Sequence, residues 1–268
     1  MALGLILSSS DMVYNDDGGN FVASAFVGGA TGSATLNSAL ASPITSSGDF
    51  CRSYGLSVSN RPFGATTISS SVDGGVYAGP FSTSKAYSMR AWIRFTVTSE
   101  NKNCGVGFLM RGDPNNFNDN RGVGEPFGLG MGGYAIRLSG VLADGQSESA
   151  TIRLSFAALD DAGDDSPQIV VVADGTYDED TWYRVRADLI PVGGAGDQIN
   201  IYTSSAGDVA SGQETWELVL DQFIDATADG DVYVEPDDAS LGMGWYNYAR
   251  NATDVSYIDG FEILVEDL

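Results

Sequence analysis

In Trp182-Tyr183-Arg184-Val185-Arg186-Ala187-Asp188-Leu189, apolar and polar side chains alternate one by one. Tyr183, Val185, Ala187 and Leu189 fall on one side; Arg184, Arg186 and Asp188 fall on the other. A period of two with one apolar face predicts a half-buried β-strand. Such a strand needs neighbours along its edges and a second layer over its apolar side. The acidic run Asp178-Glu179-Asp180 leads into it. In a turn these carboxylates are expected to be solvated rather than catalytic.

The same alternation recurs on both sides. Residues 87–98 place Tyr87, Met89, Ala91, Ile93, Phe95 and Val97 on one face and Ser88, Arg90, Trp92, Arg94, Thr96 and Thr98 on the other. At about 3.3 Å per residue that strand would traverse a whole large sandwich. Further strands are predicted at 54–58, 66–70, 76–77, 104–110, 134–138, 150–156, 168–173, 198–202, 215–220, 242–246 and 257–265. Asp-Gly pairs at Asp73, Asp144, Asp174, Asp229 and Asp259 predict turns between them. No window of helical length carries apolar residues at a 3.6-residue period, and the chain holds 34 glycines. The fold class is therefore all-β, an antiparallel two-sheet β-sandwich. Residues 1–50 are rich in small side chains and read as an N-terminal extended arm or attachment segment, with a short strand at 21–27. Residues 51–268 form the main domain, with no internal repeat.

Charge and composition exclude several function classes. With 13 basic and 36 acidic residues, the net charge of −23 repels nucleic acid and anionic membranes. There is no histidine, which removes Ser-His-Asp and Cys-His catalysis and histidine zinc sites. Cys51 and Cys104 are too few for a disulfide scaffold and are expected as free thiols. Residues 1–10 have an apolar run but no basic flank and too little length for a signal peptide or a membrane span. Synthesis in a cytosol is the resulting expectation. Arg184 and Arg186 are expected to act as counter-charges to Asp-rich loops, in exposed pairs of small energetic value.

Taken in order, several motifs resemble a known family. These are the long strand at 87–98, Gly105-Val106-Gly107-Phe108, and Gly132-Gly133-Tyr134-Ala135-Ile136. Then come Thr181-Trp182-Tyr183-Arg184-Val185-Arg186, Ile199-Asn200-Ile201-Tyr202, and the closing Tyr257-Ile258-Asp259-Gly260-Phe261-Glu262-Ile263. From about residue 54 onward the chain resembles concanavalin A-like (laminin G-like) jelly-rolls. That resemblance implies two stacked sheets, one open to ligands. It also implies a function among lectins, glycan-binding modules, glycosidases and virion proteins of tailed bacteriophages. The acidic, Gly/Ser/Thr-rich chain with its small-residue arm is most similar to the last group.

A glycosidase needs two carboxylates held about 5–10 Å apart across the sugar. The strand motif Glu-Xaa-Asp-Xaa-Glu that would supply them is absent; Glu235-Pro236-Asp237-Asp238 comes closest. An enzyme is not expected. Aromatic side chains can stack on sugar rings, and the carbohydrate-binding candidates are Trp92, Phe117, Trp245, Tyr246 and Tyr248; core packing or a subunit contact is the competing reading. For Ca²⁺, the candidate cofactor, oxygen ligands cluster at Asp113, Asn115, Asn118 and Asp119 and at Asp160, Asp161 and Asp164, neither with EF-hand spacing. The function expected is that of a non-enzymatic structural or adhesion protein of a tailed-phage virion, as capsid decoration, head fibre or tail-attached protein. Its partners would be other virion proteins, further copies of itself and host-surface glycans. The alternatives are a free lectin-like module and, further off, a glycoside hydrolase.

Overall fold

The computed structural model describes residues 12–16, 33–37, 51–55, 63–64, 81–97, 104–112, 132–141, 148–159, 169–205, 215–230, 232–234, 242–249 and 255–267. Among these there is no helix. The strands are β1 (Met12–Asp16), β2 (Ser33–Asn37), β3 (Cys51–Gly55), β4 (Phe63–Gly64), β5 (Lys85–Thr96), β6 (Cys104–Gly112) and β7 (Gly133–Val141). They continue with β8 (Glu148–Leu159), β9 (Ile169–Val172), β10 (Tyr183–Pro191), β11 (Gly196–Ser205), β12 (Glu217–Asp225), β13 (Gly242–Ala249) and β14 (Val255–Asp267).

They build two antiparallel sheets. The larger has eight strands in the order β12-β11-β10-β5-β14-β3-β2, with β1 also on β14. The smaller has six, β4-β13-β6-β7-β8-β9. Two strands from the first fifty residues thus join the larger sheet, β1 on β14 and β2 on β3. The expected strand at 21–27, and those at 66–70 and 76–77, lie outside the described residues.

Alternation places the core as expected. Tyr87, Met89, Ala91, Ile93 and Phe95 of β5 join Val185, Ala187 and Leu189 of β10 and Ile199 and Ile201 of β11 in one buried cluster. Phe108 and Met110 of β6, Tyr134, Ile136 and Leu138 of β7 and Ile152, Leu154 and Phe156 of β8 meet them from the smaller sheet. Full burial of each large apolar side chain contributes roughly 1.5–3 kcal/mol, so this interdigitation is the main stabilising term.

Two expectations change. Asp259-Gly260 is not a turn: it lies inside β14, where the register against β5 shifts between Asp259 and Glu262. Glycine here accommodates an irregularity within a long strand instead of ending it. The polar face of β10 is also not open to water, since Arg186 is 6 % and Asp188 2 % exposed. At the margin of the larger sheet, β12 leaves Leu218 and Phe223 exposed.

Candidate functional site

The chain passes from the smaller sheet to the larger through residues 173–182, and this crossover is pinned to both layers. Ala173 N–H donates to Leu154 O at 3.0 Å and Tyr177 N–H to Ile152 O at 3.1 Å, both on β8. Asp180 N–H donates to Phe95 O of β5 at 3.0 Å. Gly175 takes a φ of 94° and Asp180 a φ of 58°. Such angles suit glycine and are tolerated by Asp. The Asp180 carboxylate accepts from Arg94 Nη2 at 3.0 Å and from Thr96 Oγ1 at 2.5 Å. Of the acidic turn, then, Asp180 is a staple to β5 rather than a purely solvated acid.

Pinned in this way, the crossover holds Tyr177 against Tyr183 at the start of β10. Their rings stand perpendicular with centroids 5.0 Å apart, and Asp178 N–H donates to the Tyr183 hydroxyl at 3.0 Å. Burial pushes the Tyr177 hydroxyl pKa up; a hydrogen bond from Thr203 pulls it down, and the Glu217 carboxylate adds to the rise. Across from the tyrosines the chain re-enters at Thr215 and Trp216 to begin β12. Between these segments lies a cleft of about 430 Å³. Tyr177, Tyr183 and Trp216 give it aromatic walls, Thr176, Thr203, Ser204 and Thr215 give it hydroxyls, and Asp174 and Glu217 give it carboxylates. Among the described residues no lysine or arginine lines it. Among the described residues, neither Asp174 nor Glu217 is in an ion pair. Both carboxylates are exposed, so neither has the apolar enclosure that a glycosidase acid uses.

Trp216 belongs to a second arrangement on the outer face of the larger sheet. The register sets Arg184 beside Trp92 of β5 and Ser204 of β11, and Arg186 beside Tyr202 of β11. Arg184 lies over Trp92 and Trp216, at 5.8 and 5.5 Å from the ring centroids. Arg186 lies over Tyr202 and Trp216, at 5.0 and 5.8 Å. Arg186 Nε and Nη2 also donate to Asp188 Oδ1 and Oδ2 at 2.8 and 2.5 Å. This corrects the expectation of an exposed pair for Arg186. Arg186 is paired with its own strand neighbour in a nearly dry setting, with side chains 7 % and 3 % exposed. Aromatic rings cover the guanidinium groups and the arginine stems cover the sheet.

At the far end of β11 lies a closed polar cluster. Arg111 Nη1 donates to Asp197 Oδ2 at 2.5 Å and to Val234 O at 3.2 Å. The Tyr134 hydroxyl donates to the same Asp197 oxygen at 2.8 Å. Both charged side chains are fully buried between the sheets. Arg111 reaches inward because its own φ is 52°, at the end of β6, and it also lies 5.7 Å from the centre of the Phe81 ring. Burial raises the Asp197 carboxyl above its ordinary range, against the pull of Arg111 and Tyr134; burial, with Asp197 adding to it, likewise raises Tyr134.

Of the expected aromatic platforms, Trp92 must be corrected: alternation places it on the outer face, but it is 1 % exposed, because Arg184 lies over its ring. Phe117 lies outside the described residues. Trp245, Tyr246 and Tyr248 lie on β13, in register with Phe108, Gly107 and Gly105, while their side chains lie outside the described ones. Asp113, Asn115, Asn118, Asp119, Asp160, Asp161 and Asp164 also lie outside them. Among the described residues no group of three or more acidic or cysteine side chains is gathered to hold a metal ion. Sequence reasoning missed Tyr177, Tyr183 and Trp216 as a unit. The available signal was an aromatic residue beside an acid ahead of one strand and at the entrance of another, Tyr177-Asp178 and Trp216-Glu217.

No family model and no curated protein sequence matches the chain. Solved structures do share the architecture. Lectin II from Ulex europaeus superposes with a TM-score of 0.53 at 10 % identity, covering 94 % of this chain and 97 % of that one. The Emp47p carbohydrate recognition domain gives 0.55 at 9 %, covering 99 % and 100 %. Peanut lectin, solved with a nine-residue peptide, gives 0.52 at 9 %, covering 95 % and 97 %. At these identities the likeness is one of fold: this chain is an all-β, two-sheet sandwich of the concanavalin A-like kind.

Proposed function

We propose that the protein is a non-enzymatic glycan-binding module whose ligand lies in the cleft between the 173–183 crossover and the start of β12. One observation carries this reading: three aromatic rings and four hydroxyl side chains converge on a single open cleft. Sugar rings present an apolar face for stacking and hydroxyls for hydrogen bonding, which is the combination on offer here. The unpaired Asp174 and Glu217, with no cation among the described lining residues, disfavour acidic sugars, so the ligand class is neutral or amino sugar. Named carbohydrate-binding proteins of the same fold lend support. A glycan array probed with and without EDTA tests the reading. Retention of neutral or amino-sugar glycans that Trp216→Ala abolishes is the expected result, and EDTA sensitivity would bring in calcium. Silence on the array under both conditions sinks it, and turnover of a retained glycan would replace it with a hydrolase.

A second proposal concerns where such a module works: as an oligomeric adhesion protein on a tailed-phage particle, docked on capsid or tail proteins. What favours it is the strongly acidic, Gly/Ser/Thr-rich sequence with its small-residue N-terminal segment. Finding the protein in purified particles, and losing it on deletion of residues 1–50, is the expected outcome. A protein that stays out of particles, with no capsid or tail genes flanking its own, overturns the idea.

A further inference from the structure

Trp216 takes part in two arrangements at once: it walls the cleft and it caps the arginines on the outer face of the larger sheet. Its position is unusual for a wall residue. It precedes β12, which begins at Glu217, so the strand ladder does not fix it. What its ring does touch is a row of guanidinium groups two residues apart on β10, which project from the same face. Arg186 is itself held by a two-point bond to Asp188 and lies against Tyr202. Arg184 is held against Trp92, which is buried on the central strand β5. The result is a continuous chain of contacts, Asp188 to Arg186 to Trp216 to Arg184 to Trp92, anchored at both ends in buried groups of the larger sheet.

We propose that Arg184 and Arg186 are positioning residues that preset the Trp216 ring as a platform for the cleft. This inference rests on the glycan-binding reading for its functional meaning, though not for its physical content. A half-buried indole without such supports would sample several rotamers, and each ligand would have to immobilise it on binding. With two guanidinium groups against it, each at a distance where the ring quadrupole attracts a cation, the ring is ordered before the ligand arrives. Arg186 needs Asp188 for this role. Without the carboxylate its guanidinium would be an uncompensated charge on a nearly dry surface. Neither arginine lines the cleft, so both act through Trp216 and not on the sugar.

The test uses the full chain and three probes: a glucose oligomer, an N-acetylglucosamine oligomer and a galacturonate oligomer. The chain has four tryptophans, so the Trp216 signal is isolated as the difference between a protein and its Trp216→Phe counterpart. Arg184→Gln is the first variant. The second is Arg186→Gln combined with Asp188→Asn, which removes the pair without leaving one buried charge. Both are expected to make Trp216 more accessible to acrylamide quenching. Both should also weaken binding of the retained neutral oligomer by about two- to fivefold, the range of one lost cation–π contact. Arg184→Lys, which keeps the charge but not the planar stack, is expected to recover only part of each effect. Unchanged quenching overturns the positioning role, whatever happens to affinity. Raised quenching with unchanged affinity shows an ordered ring that the ligand does not use, and overturns it too. If the wild type retains none of the three oligomers, the glycan reading fails, and the positioning claim is then decided by quenching alone.

Discussion

The two ends of β11 make opposite use of the same kinds of residue. At its start, Asp197 is fully buried with Arg111 and Tyr134 between the sheets. Six and seven residues on, roughly 20–23 Å away at the rise of an extended strand, Thr203 and Ser204 open onto a cleft where, among the described residues, Asp174 and Glu217 have no cation beside them. Aromatic rings stand at both ends, Tyr134 and Phe81 at the first, Tyr177 and Trp216 at the second. The closed end spends its charges on each other. At the open end the carboxylates remain available to a partner, which is the condition of a binding site. A sandwich of this kind needs only one end sealed by its own side chains.

The comparison is broken most severely at the closed end. Arg111→Met leaves a buried carboxylate without its cation and should cost about 3–5 kcal/mol in urea unfolding at neutral pH. The double replacement Arg111→Met with Asp197→Leu should recover most of that loss, because burying two apolar groups removes the desolvation penalty of both charges. A single variant as stable as the parent would mean that the pair contributes nothing. Next in size is Gly196→Ala. Gly196 has a φ of 145°, and a Cβ there would lie 1.9 Å from Ile224 O of the neighbouring strand. The expected loss is about 2–3 kcal/mol, read as a lowered unfolding midpoint.

At the open end effects should appear in binding before stability. Trp216→Ala is expected to weaken oligosaccharide retention by tenfold or more, about 1.4 kcal/mol, with an unfolding midpoint within a few degrees of the parent. A large fall in stability with retained binding would reverse the roles assigned to the two ends. The smallest effects concern acid titration. Asp225 accepts from the backbone N–H groups of Ala228 and Thr227, which lower its pKa below the ordinary 3.8. A lowered group stabilises the fold above its ordinary pKa and stops doing so as pH falls through the folded value. The gap in melting temperature between parent and Asp225→Ala should therefore shrink on acidification below pH 3.8. Asp197, raised by burial, has the opposite sign. Its contribution is fully present below the ordinary 3.8 and is lost as pH rises through its folded value. The gap between parent and Asp197→Asn should widen as pH falls from the folded value toward 3.8 and level off below it, where the Asp225 gap begins to narrow.

The fold was legible because its signal is local. Alternation in 87–98 and 182–189 predicts which side chains enter the core, and Tyr87, Met89, Ala91, Ile93, Phe95, Val185, Ala187 and Leu189 are all buried. What alternation cannot show is what covers the other face. It puts Trp92 and Arg184 correctly on the outer side of their strands, yet only the pairing of β10 with β5 brings guanidinium and indole together. The cleft was hidden for a related reason. Tyr177 and Trp216 come from segments almost forty residues apart, neither within a strand, and meet only because β10, β11 and β12 run as an antiparallel meander. Asp259-Gly260 shows the reverse failure, a strong local turn signal overridden by the ladder on both sides of it.

One marginal feature has a bearing on handling the protein. β12, at the end of the larger sheet among the described strands, exposes Leu218 and Phe223. Glu217 and Asp221 on the same strand are exposed as well. Charged side chains on a margin of this sort keep it from being extended by a second molecule. That protection is electrostatic, and at molar salt the screening length falls to about 3 Å. Solutions that stay clear at low ionic strength should therefore turn turbid in concentrated salt, and replacing Asp221 with a neutral residue should bring that onset to lower salt.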